Sequence, residues 1–218
     1  MFPVTGKTYT DASITPHNYV MGQGTGGANL KGNKSINGYV GYLFSITDSC
    51  TATGNLAFDC NGPNFYAKGT TAATISDNTA VITGNITQRD RGILAVAPQG
   101  STDTTAVTYQ QNLVIVQDTS KIHSLAYIED SDQACTFTRN TYIIPDTVDV
   151  ATANLFSYEN GAGGAANKTL AEWNATSEVT DDVIVQLPAS EIQKLINKYR
   201  PHKLDFDSGP MISHDIIT

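Results

Sequence analysis

Residues 38–46 read GYVGYLFSI, and this stretch shows most clearly how the chain folds. Val40, Tyr42, Phe44 and Ile46 recur at every second position, which places their side chains on one side of an extended chain. An alternation of this kind is typical of a β-strand with one buried face. The segment therefore predicts a strand at the edge of a hydrophobic core.

Short runs of β-branched and aromatic residues follow along the rest of the chain. The clearest are residues 65–67, 73–75, 80–83, 92–96, 106–109, 113–116, 122–128, 135–138, 141–144 and 183–187. Clusters of Asn, Asp, Gly, Pro and Ser separate many of them, and the spacing indicates an antiparallel sandwich or barrel. Long helical patterns between the runs, which a parallel α/β sheet would need, are lacking. We predict an all-β fold, an antiparallel β-sandwich of the jelly-roll type.

The sequence divides into three segments within one structural domain. Residues 1–36 contain Pro3, Pro16 and a glycine-rich run, and are predicted to form an irregular N-terminal arm. Residues 37–187 hold the strands of the sandwich core. Residues 188–218 are predicted to form one short helix followed by an extended C-terminal tail.

Two short helices are indicated by capping boxes. Thr169 followed by Glu172 predicts a helix start at Leu170. Ser190 followed by Gln193 predicts the start of a second helix, which Pro201 would end. The apolar residues of that helix recur at helical spacing and are Ile192, Leu195, Ile196 and Tyr199.

Composition narrows the classes of function. Charged residues are 16% of the chain and the net charge is −8, while 28 Thr, 14 Ser and 16 Asn supply most of the polarity. A basic footprint is the first expectation for a nucleic-acid binder, so no direct nucleic-acid binding is expected. The small basic cluster at Lys194, Lys198, Arg200 and Lys203 is interpreted as a helix C-terminus, with phosphate or lipid head groups as the alternative.

The chain start has no basic region followed by an apolar run, so no signal peptide is predicted. No stretch approaches the roughly 18 apolar residues of a membrane span. The expected location is a virion or an extracellular assembly that is reached without an obvious export signal.

The three cysteines argue against a disulfide framework because their number is odd. Free buried thiols are the expected state. A bridge between Cys50 and Cys60 across a hairpin is the alternative, and it would leave Cys135 unpaired.

No motif carries a recognisable catalytic chemistry. Gly22, Gly24 and Gly27 match a dinucleotide fingerprint in spacing but lack the helix that must follow. Asp207-Ser208-Gly209 matches one half of an aspartic-protease site, which needs two such carboxylates. The four histidines show no metal-ligand spacing. We expect no enzyme activity, no cofactor and no metal site. Calcium bound near Asp130 and Asp132, with Glu129 beside them, is an open alternative.

Two functional hypotheses remain. The first is a self-assembling structural protein, such as a virion coat (capsid) or appendage subunit, because few charges and many hydroxyls suit a surface that packs against copies of itself. Its subunit-interface candidates are Tyr9, Tyr19, Ile212, Ile216 and Ile217. The second is a carbohydrate- or receptor-binding β-sandwich module, because tyrosine-rich β surfaces can stack on sugar rings. The general character of the strands, arm and tail resembles single-jelly-roll coat proteins.

Overall fold

The computed structural model describes residues 8–10, 14–15, 19–21, 29–47, 49–88, 91–100, 102–129, 134–160 and 164–201. Within them the chain forms short strands and two helices. The strands are β1 (Thr8–Thr10), β2 (Ile14–Thr15), β3 (Tyr19–Met21), β4 (Asn29–Lys31), β5 (Lys34–Ile36), β6 (Tyr42–Ser45), β7 (Thr51–Thr53), β8 (Leu56–Phe58), β9 (Phe65–Lys68), β10 (Thr74–Ser76), β11 (Thr79–Ile82), β12 (Gly92–Ala97), β13 (Thr105–Gln110), β14 (Leu113–Val116), β15 (Ser124–Glu129), β16 (Ala134–Thr138), β17 (Thr141–Pro145), β18 (Phe156–Asn160), β19 (Gly164–Lys168), β20 (Val179–Thr180) and β21 (Val183–Leu187). The helices are α1 (Leu170–Asn174) and α2 (Ala189–Tyr199).

The strands form three seven-stranded sheets in a repeating order. Sheet A is β1-β4-β7-β10-β13-β16-β20, sheet B is β2-β5-β8-β11-β14-β17-β21, and sheet C is β19-β18-β15-β12-β9-β6-β3. From β1 to β15, each strand is followed in the chain by a strand of another sheet. Each of these strands pairs in parallel with the strand that comes three strands later in the chain, as β1 pairs with β4. The chain therefore winds as a parallel β-helix, and we call one circuit through sheets A, B and C a coil.

The predicted antiparallel jelly-roll sandwich is therefore wrong. Among the described strands only β18 and β19 pair in antiparallel fashion. The alternation of residues along a strand reports its buried face but not the direction of its partner, so a parallel solenoid and an antiparallel sandwich give similar local patterns.

An eight-residue repeat builds sheets A and B and the corner between them. It occurs at residues 29–36 (NLKGNKSI), 51–58 (TATGNLAF), 74–81 (TISDNTAV), 108–115 (TYQQNLVI) and 136–143 (TFTRNTYI). The second and seventh positions are buried and point into the solenoid, while the first, third, sixth and eighth point outward. The fourth position has a positive φ, from +54° at Arg139 to +69° at Gly32, and turns the chain from sheet A to sheet B.

The fifth position of the repeat is always asparagine, and these side chains stack as a buried ladder. The backbone N–H of Asn78 donates to Asn112 Oδ1 at 3.1 Å, and its Nδ2 donates to the same oxygen at 3.0 Å. The same pair of bonds joins Asn33 to Asn55, Asn55 to Asn78, and Asn112 to Asn140. The ladder satisfies the polar backbone of a corner that is closed to water.

The ladder ends on a carboxylate. Asp182 Oδ1 accepts from the Asn140 backbone N–H at 2.8 Å and from its Nδ2 at 3.0 Å. Oδ2 accepts from the Tyr142 hydroxyl at 2.9 Å and from Trp173 Nε1 at 3.1 Å. All these partners donate, so an acceptor-only group fits the last position better than an amide.

The interior is filled by aliphatic side chains and aromatic stacks. Tyr42 stacks on Phe65 with ring centroids 4.9 Å apart, and Tyr109 stacks on Phe137 at 4.8 Å. Towards the C-terminal end, Trp173 of α1 stacks on Phe156 at 5.0 Å and is fully buried. Helix α1 therefore brings an aromatic side chain into the core beside the last coils.

The two predicted helices are present, and one of their predicted caps is confirmed. Thr169 and Glu172 form the capping box of α1. Helix α2 is preceded instead by Pro188, without a side-chain capping bond, so the predicted Ser190 capping box is wrong. Neither helix among the described residues is long and apolar enough to cross a membrane.

Five strands, β1 to β5, lie within the segment predicted to be an irregular arm. That segment therefore supplies the first coil and part of the second. The predicted tail lies beyond Pro201, outside the described residues.

Candidate functional site

The three outer faces of the solenoid have different chemistry. On sheet B the eighth residue of each repeat is apolar, and these residues pack under Ile192 and Ile196 of α2. On sheet A the outward positions are mostly threonine. Sheet C carries tyrosine, arginine and carboxylate side chains together, so it has the groups that can recognise a ligand.

A row of outward-facing residues crosses sheet C in register. It consists of Leu43, Tyr66, Ala95, Tyr127 and Ser157. The residues that directly precede them on the same strands lie in the main core, and they are Tyr42, Phe65, Leu94, Ala126 and Phe156. On the outer side of the sheet a separate apolar cluster forms, which consists of Val40, Tyr66, Ala95, Ala97 and Tyr127. We call this row the tyrosine row. Tyr66 and Tyr127 are each 5% exposed, so they form the floor of the site.

Arg91 links the tyrosine row to a carboxylate. It stands directly before β12 with a φ of +55°. Its Nε donates to Glu129 Oε2 at 2.8 Å, and its guanidinium carbon lies 5.5 Å from the centroid of the Tyr66 ring. The side chains of Arg91 and Glu129 are each 28% exposed. This pair is half-buried above Tyr66 and still reaches solvent.

Glu159 and Tyr127 extend the same network by one strand. Glu129 and Glu159 are register partners on β15 and β18, and adjacent strands are about 4.8 Å apart. Burial, followed by a hydrogen bond to Glu159 and the nearby charge of Glu129, raises the pKa of Tyr127. The phenol therefore stays protonated at neutral pH and donates to Glu159. The exposed His123 ring meets Tyr127 edge-on, with centroids 6.1 Å apart.

An exposed aromatic ring stands near the other end of this face. Tyr39 is 49% exposed and directly precedes Val40, a member of the sheet C apolar cluster. The Gly62 backbone N–H donates to the Tyr39 carbonyl at 2.6 Å, and a Cβ at Gly62 would lie 2.9 Å from that oxygen. Glycine at this position lets the two coils approach closely and fixes the backbone of Tyr39.

The arrangement suits recognition through hydrogen bonds better than metal chemistry. A guanidinium has five N–H donors and a carboxylate has about four acceptor positions, so Arg91 and Glu129 can bond a ligand as well as each other. No group of His, Cys, Asp and Glu in the described part of the chain could hold a metal ion. The alternative calcium site at Asp130 and Asp132 lies outside that part.

A cavity lies at the C-terminal end of α2, away from the Arg91–Glu129 pair. It has a volume of about 360 Å³ and is lined by Ile36, Asn37, Phe58, Asp59, Asn85, Ile86, Arg200 and Pro201. Asp59 Oδ1 accepts from the Thr83 backbone N–H at 2.7 Å, and Oδ2 accepts from the Thr83 hydroxyl at 2.8 Å. Burial raises the pKa of Asp59, and the Thr83 bonds and Arg200 oppose the shift. Both oxygens bond Thr83, so Asp59 ties two coils together.

The structure places few of the sequence-predicted site residues at this face. The Tyr9 backbone lies in β1 and the Tyr19 backbone in β3, and their side chains are not among the described ones. Ile212, Ile216 and Ile217 lie outside the described residues. Cys50, Cys60 and Cys135 are free and buried, so the alternative Cys50–Cys60 bridge is not formed.

Sequence reasoning missed Arg91 and Glu159, and it considered Glu129 only as a calcium ligand beside Asp130 and Asp132. Arg91 and Glu129 are 38 residues apart in the chain, and only the coiling of the solenoid brings them together. The repeated eight-residue segment was the available signal, because it predicts a coiled fold in which equivalent positions stack. Comparison with protein-family models, with curated proteins and with solved structures finds no match.

Proposed function

We propose that this protein binds a neutral glycan on the outer face of sheet C. The observation that carries the proposal is the network in which the Arg91–Glu129 pair lies over Tyr66, beside the Tyr127–Glu159 pair. It combines hydrogen-bond donors and acceptors on neighbouring coils, and Tyr39 adds an exposed aromatic ring. Sugars present the complementary set, since their hydroxyls both donate and accept and their C–H faces stack on aromatic rings.

The charges of this face favour a neutral ligand. Lys68 and Arg91 are balanced by Glu129 and Glu159, and the chain as a whole carries −8. A polyanion such as nucleic acid would meet an acidic protein with no basic stripe at this site. A neutral polysaccharide carries no such penalty.

The geometry also favours an extended ligand. Successive coils repeat about every 4.8 Å along the solenoid axis, so a linear glycan lying along that axis meets equivalent positions one after another. The exposed Tyr39 ring then stacks on one sugar, while Arg91 and Glu129 bond the hydroxyls of another. Binding is expected without cleavage.

The test is a glycan array with the full chain, followed by calorimetry on the best neutral ligand. Arg91→Ala and Tyr39→Ala should each weaken binding about tenfold, which is about 1.4 kcal/mol. The matched control is Lys194→Ala, which removes an exposed cation paired with Glu191 at 2.6 Å on α2. The proposal fails if no glycan binds, or if the Arg91 and Lys194 variants bind alike.

A second proposal keeps a structural role, as a subunit of a virion or appendage. It is supported by β21, the last strand of sheet B, whose outer edge pairs with none of the described strands. Val183 and Val185 on this strand are 44% and 38% exposed. An open parallel edge next to exposed valines can accept a strand from a second copy.

Light scattering after size-exclusion chromatography tests this second proposal. A defined oligomer that Val185→Lys dissociates would support it. A monomer at every salt concentration, or an oligomer that Val185→Lys leaves intact, would count against assembly through β21.

A further inference from the structure

The outer face of sheet A carries two ladders in which most of the side chains are hydroxyls. Asn29, Thr51, Thr74, Thr108 and Thr136 are register partners on successive strands, and they form the first ladder. Lys31, Thr53, Ser76, Gln110, Thr138 and Thr180 form the second. The residues between the two ladders point inward and are buried, as Ala52, Ile75 and Tyr109 show.

The ladders are regular and held in place. Neighbouring strands are about 4.8 Å apart, and alternate residues of one strand are about 6.6 Å apart, so the side chains form a two-dimensional lattice. Threonine is stiff at χ1 because it is branched at Cβ. Some members also bond along the ladder, since the Thr51 hydroxyl donates to Asn29 Oδ1 and the Thr53 and Ser76 hydroxyls lie 3.3 Å apart.

This face is almost free of charge. Lys31 is the single charged residue among the described strand residues of sheet A, whereas about a quarter to a third of an ordinary protein surface is charged. Charged side chains occur instead at the adjacent corner, at Asp77, Arg139 and Asp181. Of the two described helices, α2 packs on sheet B, and α1 contacts β20, the last strand of sheet A. An ionic partner is therefore a poor match for this face.

The face is too small to hold a second copy by itself. The six strands from β4 to β20 span about 29 Å and three residues span about 10 Å, which gives on the order of 300 Å². A stable protein interface needs about 800 Å² from each partner. A partner that repeats with the same lattice would let each hydroxyl contact an equivalent group.

We propose that the outer face of sheet A binds the surface of ice. Water oxygens in ice are uncharged, ordered in two dimensions and spaced on the scale of the threonine lattice. Each hydroxyl takes the place of one lattice water, and each threonine methyl rests between neighbouring waters. The stiff side chains lose little entropy on binding, because their positions are set before the ice is met.

The experiment uses the full chain with a fluorescent label. The wild type should enter a growing ice hemisphere and inhibit ice recrystallisation. The variant Thr74→Lys/Thr108→Lys places two cations at the centre of the first ladder and should lose both effects. The matched control Thr141→Lys adds a lysine at an outward position of sheet B and should retain both.

Three results would overturn the proposal. One is a wild type that is excluded from ice, a readout that needs no variant. Another is a folded double variant, checked by circular dichroism, that still enters ice. In the third, the wild type does not enter ice but either sediments with crystalline polysaccharide or dimerises in the ultracentrifuge. The double variant then loses the polysaccharide binding or the dimerisation. The single variant Thr108→Lys replaces the double one if the latter does not fold.

Discussion

At the residue scale, one asparagine in each repeat makes the corner between sheets A and B possible. Asn78 accepts both the backbone N–H and the Nδ2 of Asn55 at 2.9 Å. It also donates from Nδ2 to the Ala52 carbonyl at 2.9 Å. No other side chain of this length offers one acceptor and two donors in this arrangement. The backbone therefore requires asparagine at the corner, whereas the residue before it varies from Gly to Asp, Gln and Arg although its φ is always positive.

Asn78→Ala should lower the free energy of unfolding by about 3 kcal/mol, because the buried Asn55 backbone N–H loses its acceptor and the Asn55 Nδ2 keeps only its bond to the Leu30 carbonyl. Equilibrium urea unfolding measures the change. The matched control is Asn197→Ala on the exposed side of α2, where the side chain accepts one bond from Gln193, and a loss of at most about 0.5 kcal/mol is expected. Equal losses in the two variants would contradict a structural role for the ladder.

Asp59 should make stability fall as pH rises. Burial raises its pKa in the folded state above the ordinary value of 3.8, so the folded protein holds the proton more tightly than the unfolded chain does. The contribution of Asp59 to stability is thus full below the ordinary pKa and is lost as pH rises through the raised folded value. Asp59→Asn should remove this slope, since the Thr83 hydroxyl can rotate to accept from the new amide.

Urea midpoints measured across the acidic range test this sign. Asp118 is a control of opposite sign, because its bonds to Ser120 lower its pKa. Asp118→Asn should therefore remove stability that is present above the ordinary pKa and lost as pH falls. An Asp59→Asn variant that is destabilised most at neutral pH would show that the charged form of Asp59 is favoured in the folded state.

At the element scale, α2 protects the apolar face of sheet B. Ile192 and Ile196 are fully buried against Ile36, Phe58, Val81, Ile115 and Ile143, which come from successive repeats. Gln117 Nε2 also donates to Gln193 Oε1 at 3.0 Å, which fixes the helix against β14. Without α2 this face would be a contiguous apolar strip on a parallel sheet, a surface prone to association.

Ile196→Asp should displace α2, because it buries a carboxylate among aliphatic side chains. We expect a loss of at least about 3 kcal/mol, increased binding of a hydrophobic dye and a tendency to aggregate. Leu195→Asp, at a half-buried neighbouring position, should have a smaller effect. If Ile196→Asp leaves both unfolding and dye binding unchanged, α2 does not cover sheet B in solution.

The elements could be predicted from the sequence to different degrees. Strands such as β14 and β17 follow from their composition, and α2 follows from its apolar spacing. The parallel pairing of the strands could not be predicted in this way. A Gly-Asn pair such as Gly54-Asn55 suggests a turn that reverses the chain, but here it is a corner that leads from sheet A into sheet B. The site was out of reach for a related reason. Arg91, Glu129 and Glu159 become neighbours only when the number of residues in each coil is known, and inserted loops change that number.

At the scale of the whole molecule, one winding rule gives three outer faces with different chemistry. The ladder spacing varies, with 22 residues between Asn33 and Asn55 and 34 between Asn78 and Asn112. The longer coils place their extra residues in loops beside sheet C, where residues 83–91 precede β12 and position Arg91. The eight-residue repeat that builds sheets A and B keeps its length, although β13 begins before it and shifts register between Thr105 and Val107. Much of the variation in length therefore lies beside the face that carries the tyrosine and carboxylate groups.

The most direct test of this account is to map the bound glycan by NMR. The best neutral ligand from the array is titrated into the isotope-labelled full chain, and amide and side-chain shifts are followed. We predict that the changes are confined to sheet C and its loops, with the largest at Tyr39, Arg91, Tyr127 and Glu129. Changes centred on sheet A, on α2 or on the Asp59 cavity, or no changes at a saturating ligand concentration, would contradict the proposal that sheet C is the glycan-binding face.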